Sequence, residues 1–261
     1  MPEIRFADGA SYDTMMGVWS RSVGEVFLDW LAPPTGLDWI DVGCGGGAFT
    51  QLVAKRCAPR SIIGIDPSEQ QITYARTLPL GGVAQFEQGD AMALPLDDGA
   101  VDIAASALVI HFMPDAAKGV AEMARVTKRG GHVVSYVWNI PEGGFPYAAL
   151  NAAMKAAGFP PADTPQPPEA VSKDALRRLW TDAGLEAIEV REISVARTFA
   201  NFEQYWQAAI TAPPIAAGLA KAPASVVADV RERVRASLSE QPGGGEVVPT
   251  GRANAVRGRV R

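Results

Sequence analysis

Asp41, Asp66, Asp90 and His111 are the side chains of this sequence whose types and settings could do chemistry, and a glycine turn stands beside the first of them. Residues 39–50 read "WIDVGCGGGAFT", with Gly43, Gly45, Gly46 and Gly47 crowded behind an acid. Glycine at that density marks a backbone that turns sharply or comes close to a ligand. Gly43, Gly45 and Ala48 fit the G-x-G-x-x-G/A dinucleotide fingerprint, and the helix-like residues that follow would offer free N–H groups and a positive dipole end to a phosphate or carboxylate. Asp66 closes the apolar run "SIIGID", where an acid accepts hydrogen bonds from ribose hydroxyls. These features favour an adenosine-like ligand and leave NAD and other nucleosides open. Asp41 and Asp90 discriminate. A carboxylate directly before the turn repels a pyrophosphate and welcomes an ammonium or sulfonium group. Asp90, in "GDAMALPL", adds an acid at the adenine end. His111 has the intrinsic pKa of a general base near neutrality, and the same residue can equally serve packing or hydrogen bonding. His132 reads as structural. With two histidines and no Cys/His cluster, a protein-bound metal is not expected.

The elements that must position these residues follow from hydrophobic spacing. Val23, Val26, Phe27 and Trp30/Leu31 recur at helical intervals, and "APPTG" ends that helix. From Leu37 strands alternate with helices: "LDWIDVG", "SIIGID", "VAQFEQGD", "VDIAASALVI" and "HVVSYVWN" are five apolar strands. Ser68 with Gln71 starts the helix after the second strand, and Val120, Met123 and Thr127 line a helix predicted to end at Gly130 and Gly131. This alternation predicts a doubly wound, mostly parallel sheet with helices on both faces. "SKDALRRLWTDAGL" is a further helix with Leu176, Leu179 and Trp180 on one face, and "EAIEVREISV" alternates like a strand nearer an edge. The predicted α/β core covers 37–140, 171–196 and 245–261, preceded by a helical segment, 1–36. Two irregular inserts, 141–170 and 197–244, are expected to fold together as a cap over the carboxyl ends of the strands.

Hydrophobic residues at 48% and charged residues at 20% fit a globular chain with a full core, and a net charge of −5 argues against nucleic acid as a partner. The sequence has no apolar run of membrane-spanning length and no signal-like start, and its two cysteines form no disulfide framework, so a cytoplasmic protein is expected, with room for a homodimer. Cys44 and Cys57 read as small packing residues. Arg252, Arg257, Arg259 and Arg261 have no acid among them and read as a solvated edge strand and tail.

In "DVGCGGGAF", "GIDPSEQQITYAR", "GDAMALPLDDGAVDIAASALVIHFMPD" and "ARVTKRGGHVV" the sequence resembles the class I S-adenosylmethionine-dependent methyltransferases, in their small-molecule, ubiquinone-biosynthesis-like group. The segments cover residues 37–138 in order, and "AGLEAIEV" fits a sixth strand of the seven-stranded, Rossmann-like sheet that the resemblance implies. It implies S-adenosyl-L-methionine as cofactor. Gly43 and Gly45 would lie against its methionine part, Asp41 would orient that region, and Asp66 would hold the ribose. Asp90 with the Ala91 backbone would recognise adenine, and Ala107 would offer a backbone group. Tyr12, Met16 and Arg21 would close the site from the N-terminal segment, Arg21 by pairing with the methionine carboxylate, or they simply pack the helix.

The expected reaction is methyl transfer to an oxygen or carbon of a small, apolar or aromatic acceptor, with His111 as the candidate catalytic base. Trp138, Phe145, Tyr147, Phe159, Phe199, Tyr205 and Trp206 fall in or beside the inserts, as walls of an acceptor pocket or as anchors of small helices. Two rivals remain at this stage: a nicotinamide-dependent oxidoreductase, and a protein that binds S-adenosylmethionine without catalysis.

Overall fold

The computed structural model describes residues 17–161, 171–211, 213–238 and 245–261. Tyr12 and Met16 lie outside the described residues. Seven strands form one sheet in the order β3-β2-β1-β4-β5-β7-β6, built from β1 (Asp38–Val42), β2 (Ser61–Asp66), β3 (Ala84–Gln88), β4 (Val101–Ala107), β5 (Thr127–Trp138), β6 (Glu186–Ala196) and β7 (Thr250–Arg259). The pairs among β1 to β5 are parallel, and β7 runs antiparallel between β5 and β6. The expected doubly wound sheet is what the chain forms.

The middle of each central strand is mainly apolar because both faces are covered. On one face Trp39, Ile103, Val134 and Ala255 pack under α1 (Val18–Leu31) and α2 (Ala48–Cys57), which supply Phe27, Leu52 and Val53. On the other, Ile40, Ala104, Val133 and Val256 pack on α4 (Ala116–Val126) and α6 (Lys173–Asp182), which supply Val120, Met123 and Trp180. Neighbouring residues of one strand thus serve opposite layers, the period-two geometry of a strand. Between β2 and β3 lies α3 (Glu69–Ala75), whose N-cap Ser68 accepts from the Gln71 N–H, as its spacing predicted. Both described cysteines are buried thiols. No helix among the described residues is long and apolar enough to cross a membrane.

Three expectations need correction. The helix after β4 stops at Val126, not at the glycine pair: Thr127 turns to extended geometry and its hydroxyl bonds back to the Met123 carbonyl at 2.7 Å, so residues 127–131 already belong to β5. β4 ends at Ala107 because Leu108 takes a left-handed φ of 63°, and a 3₁₀ turn at Ile110–Phe112 replaces the strand's predicted end. The arginine-rich C-terminal strand is an interior strand. Its arginines find their acids across the ladder on β6, Arg257 with Glu189, Arg259 with Glu186 and Arg252 with Glu192, which no reading of residues near in sequence could reveal.

The inserts contain α5 (Ala148–Ala156), α7 (Phe202–Ile210), α8 (Pro213–Leu219) and α9 (Ala224–Ser237), with α5 packed on both α8 and α9. Where the first insert leaves the sheet, Asn139 donates to Glu142 at 2.7 Å and to Glu192 at 3.1 Å, and Arg252 closes the cluster at 3.6 Å from Glu192.

Candidate active site at the carboxyl ends of the strands

Asp41, Asp66, Asp90 and Ala107 end, or directly follow, four adjacent parallel strands, in the spatial order Asp90, Asp66, Asp41, Ala107. Three strand spacings separate the first from the last, about 14 Å.

Asp41 is 2% exposed. Its Oδ2 accepts a 2.6 Å hydrogen bond from the Thr50 hydroxyl, one turn into α2, while its Oδ1 is buried with no partner. Burial pushes its pKa up to about 7; the Thr50 bond opposes the shift and the Asp66 charge adds to it. Thr50 escaped the sequence reading, though a hydroxyl just inside the helix that follows a glycine turn was the available signal. Asp66 is mostly buried and its pKa is also raised by desolvation, partly offset by backbone N–H groups: Gly45 donates to Oδ2 and Ser68 to Oδ1, each at 2.9 Å. Asp90 is exposed, its Oδ1 accepts from the Met92 N–H at 2.9 Å, and Ala91 after it is half-buried.

The glycines divide into two roles. Gly43 has φ 76°, and a Cβ there would sit 2.3 Å from Val109 Cγ1, so it is glycine because the loop after β4 packs onto it. Gly45, at φ 50°, would place a Cβ in open space. Four of the turn's N–H groups are not free, against the expectation from the sequence. Gly43 and Cys44 donate to the Ile65 carbonyl, Gly45 to Asp66 and Gly47 to Cys44, so the end of β2 holds the turn.

His111 is 3% exposed with its ring 4.0 Å from that of Phe112, and its Nδ1 is buried without a partner. Burial lowers its pKa to about 4, so it is neutral at neutral pH and a weak base, against the expectation from its intrinsic pKa. Arg21 lies on the exposed side of α1. The cap aromatics form one contiguous assembly of edge-to-face and tilted pairs: Tyr147 against Phe145 and Tyr205, Tyr205 against Phe199 and Phe202, and Trp138 against Phe145. Trp19, which the sequence reading did not single out, joins it by donating its indole N–H to the Tyr147 hydroxyl at 3.3 Å.

The fold is a doubly wound, Rossmann-like α/β domain with a row of acids at the carboxyl ends of its parallel strands, the end at which ligands of such sheets lie. Residues 40–135 match the family model described as "Methyltransferase domain", a similarity that agrees with the class I methyltransferase resemblance of the sequence. Over 139 residues the chain is 37% identical to an uncharacterised methyltransferase of Mycobacterium bovis, covering 51% of this chain and 53% of that protein. Over 113 residues it is 40% identical to a 2-methyl-6-phytyl-1,4-hydroquinone methyltransferase of Synechocystis, covering 43% of this chain and 35% of that protein. The chain thus spans between a third and about half of these relatives' lengths. Among solved structures it resembles a SAM-dependent methyltransferase of Thermotoga maritima with a TM-score of 0.58 at 18% identity, over 98% of this chain and 97% of that one, a likeness of fold.

Proposed function

We propose that the protein transfers a methyl group from S-adenosyl-L-methionine to an oxygen or carbon atom of a small, apolar or aromatic metabolite. The carrying observation is the unpartnered, buried Oδ1 of Asp41, two residues before a glycine turn that has open space at Gly45. A buried carboxylate oxygen without a donor is costly, and an ammonium or sulfonium group is the kind of ligand that offsets it. The residues present therefore fit the cofactor. Asp41 would hold its cationic amino-acid end and Gly45 would let it lie against the backbone. Asp66 would take the ribose through its remaining lone pairs, and Asp90 with Ala91 would take the adenine. When bound, the cofactor supplies a methyl group on a sulfonium sulfur that needs no further activation.

The protein's part is then to align the acceptor and exclude water. The inserts support the reading of residues 141–170 and 197–244 as a cap, since their helices pack on one another and carry a contiguous aromatic assembly. The hydroquinone acceptor in the name of the Synechocystis relative is consistent with an aromatic substrate and with transfer to carbon or oxygen. His111, neutral and buried, reads as a hydrogen-bonding and packing residue of the acceptor wall, not as a strong base.

Calorimetric titration with S-adenosylhomocysteine tests the proposal directly. Saturable binding, lost in Asp66→Ala, is expected; absence of binding, or unchanged affinity in that variant, would sink it.

A further inference from the structure

β3 and β4 run in the same direction, so residues 89–100 must bring the chain from the carboxyl ends of the strands back to their amino ends. Such a crossover is usually a helix, whose backbone groups bond to one another. Among the described residues no helix lies between Gln88 and Val101, although Leu94 in the middle of the segment is 4% exposed and packs in the core with Val101 and Met123. The polar backbone groups there must find partners elsewhere.

Two half-buried side chains of α4 supply them. The Leu94 N–H donates to Glu122 Oε2 at 2.8 Å, and the Leu94 carbonyl accepts from Arg125 Nη2 at 3.1 Å. Arg125 Nη1 donates to the Leu96 carbonyl and to Asp98 Oδ1, each at 2.8 Å. Its Nε and Nη2 donate to the two carboxylate oxygens of Glu122, again at 2.8 Å. All the guanidinium hydrogens are thereby engaged, a set of donors in a fixed fork that no other side chain has. Asp98 is mostly exposed and its ion pair well screened, so the bonds to Leu94 and Leu96 are what tie the segment to α4.

A second observation connects this clasp to the row of acids. Asp90 and Ala91 begin the same segment. Asp90 forms an antiparallel bridge with Ala93, whose N–H donates to the Asp90 carbonyl at 3.0 Å, and Ala93 is joined directly to Leu94. On the other side the Gly89 N–H donates to the Asp66 carbonyl at 3.1 Å. The Asp90 turn is thus suspended between two anchors, the end of β2 that carries Asp66 and the Glu122–Arg125 pair on α4. Ala91 packs against the same core as Leu94.

We propose that Glu122 and Arg125 are positioning residues for base recognition. By holding Leu94 and Leu96 on α4 they fix the turn of Asp90 and Ala91 relative to Asp66, and so set the preference of the site for adenine over other purines. Both act through the turn and not on the ligand. This inference rests on the S-adenosylmethionine reading of the site.

The test is calorimetric titration of the full chain with S-adenosylhomocysteine and with S-inosylhomocysteine, in which a carbonyl replaces the exocyclic amine and the donor–acceptor pattern of that purine edge is reversed. The parent should bind the adenine compound at least about tenfold tighter, the worth of one hydrogen bond to a charged group. In Arg125→Lys and Arg125→Gln the ratio should fall below about threefold, while affinity for the inosine compound stays within about twofold of the parent. Glu122→Gln keeps an acceptor for the Leu94 N–H and should retain an intermediate ratio. A merely structural role would weaken both compounds together. An unchanged ratio in the Arg125 variants therefore overturns the proposal, as does a parent that binds the two compounds equally. Should Arg125→Gln fail to fold, Arg125→Lys, which keeps the charge and the aliphatic stem, decides alone. Failure of both compounds to bind the parent would instead overturn the cofactor reading, so the two failures are separable.

Discussion

Asp41 accepts a 2.6 Å hydrogen bond from the Thr50 hydroxyl on one carboxylate oxygen, while the other is buried and bare. Thr50 is the only donor the protein gives this acid among the described residues, so Asp41 is held at the edge of ionisation, with a pKa of about 7.

That balance gives the first prediction. The folded-state pKa is raised above the unfolded value, so the folded state keeps a proton that the unfolded chain has already lost. Asp41 therefore subtracts from stability as pH rises from about 4 to about 7, by a slope approaching 1.4 kcal/mol per unit. Asp41→Asn removes the effect, and denaturant unfolding should show the variant gaining on the parent between pH 5 and pH 7.5. S-adenosylmethionine affinity should do the opposite. In the parent it should strengthen with pH across that window as the carboxylate becomes available to a cation, and in Asp41→Asn it should be weak and flat.

His111 supplies the second. Because burial depresses its pKa to about 4, its ring should stay neutral down to pH 5. The chain has two histidines, so long-range nitrogen–proton spectra resolve both cleanly. A His111 transition near pH 6.5, or a rate profile whose lower limb moves in His111→Gln, would restore the general-base role.

The third concerns the glycines. Gly43→Ala meets Val109 at 2.3 Å and forces an L side chain to φ 76°, so a loss of about 2–4 kcal/mol in stability is expected. Gly45→Ala meets no protein atom and should cost only about 1–2 kcal/mol for its backbone conformation. Its larger effect should be on S-adenosylhomocysteine affinity. Trimming the obstacle in Gly43→Ala/Val109→Ala should recover part of the stability; no recovery would mean the strain lies in the backbone alone.

The contrast between those glycines shows what the sequence could and could not disclose. Alternating apolar runs and helical spacings were enough to place β1 to β5 and the acids at their ends, because each depends on residues close along the chain. The reason for Gly43 depends on Val109, and the partners of Arg257 and Arg259 come from β6. These are long-range contacts, and neither periodicity nor turn chemistry encodes them. The lowered pKa of His111 was hidden for a related reason: its residue type sets the intrinsic pKa, but only the packed loop after β4 sets how much water reaches the ring.

Arg257 offers a last test of how the interior position of β7 is held. It pairs with Glu189 at 2.6 Å across the β6–β7 ladder, stacks 4.9 Å from the centre of the Trp30 ring and donates to the Trp30 carbonyl at 3.3 Å. Glu189 is about half exposed, so its Coulombic attraction is well screened and Glu189→Ala should lower stability by no more than about 1 kcal/mol. Arg257→Ala also loses the packed stem and the contact with the indole face, and should cost roughly 1–2 kcal/mol. Salt discriminates between the contributions. Raising ionic strength should shrink the Glu189→Ala effect and leave most of the Arg257→Ala effect in place, because the ring contact and the backbone bond are not surface ion pairs. Equal losses in the two variants would mean that the ion pair, and not Trp30, anchors Arg257 to α1.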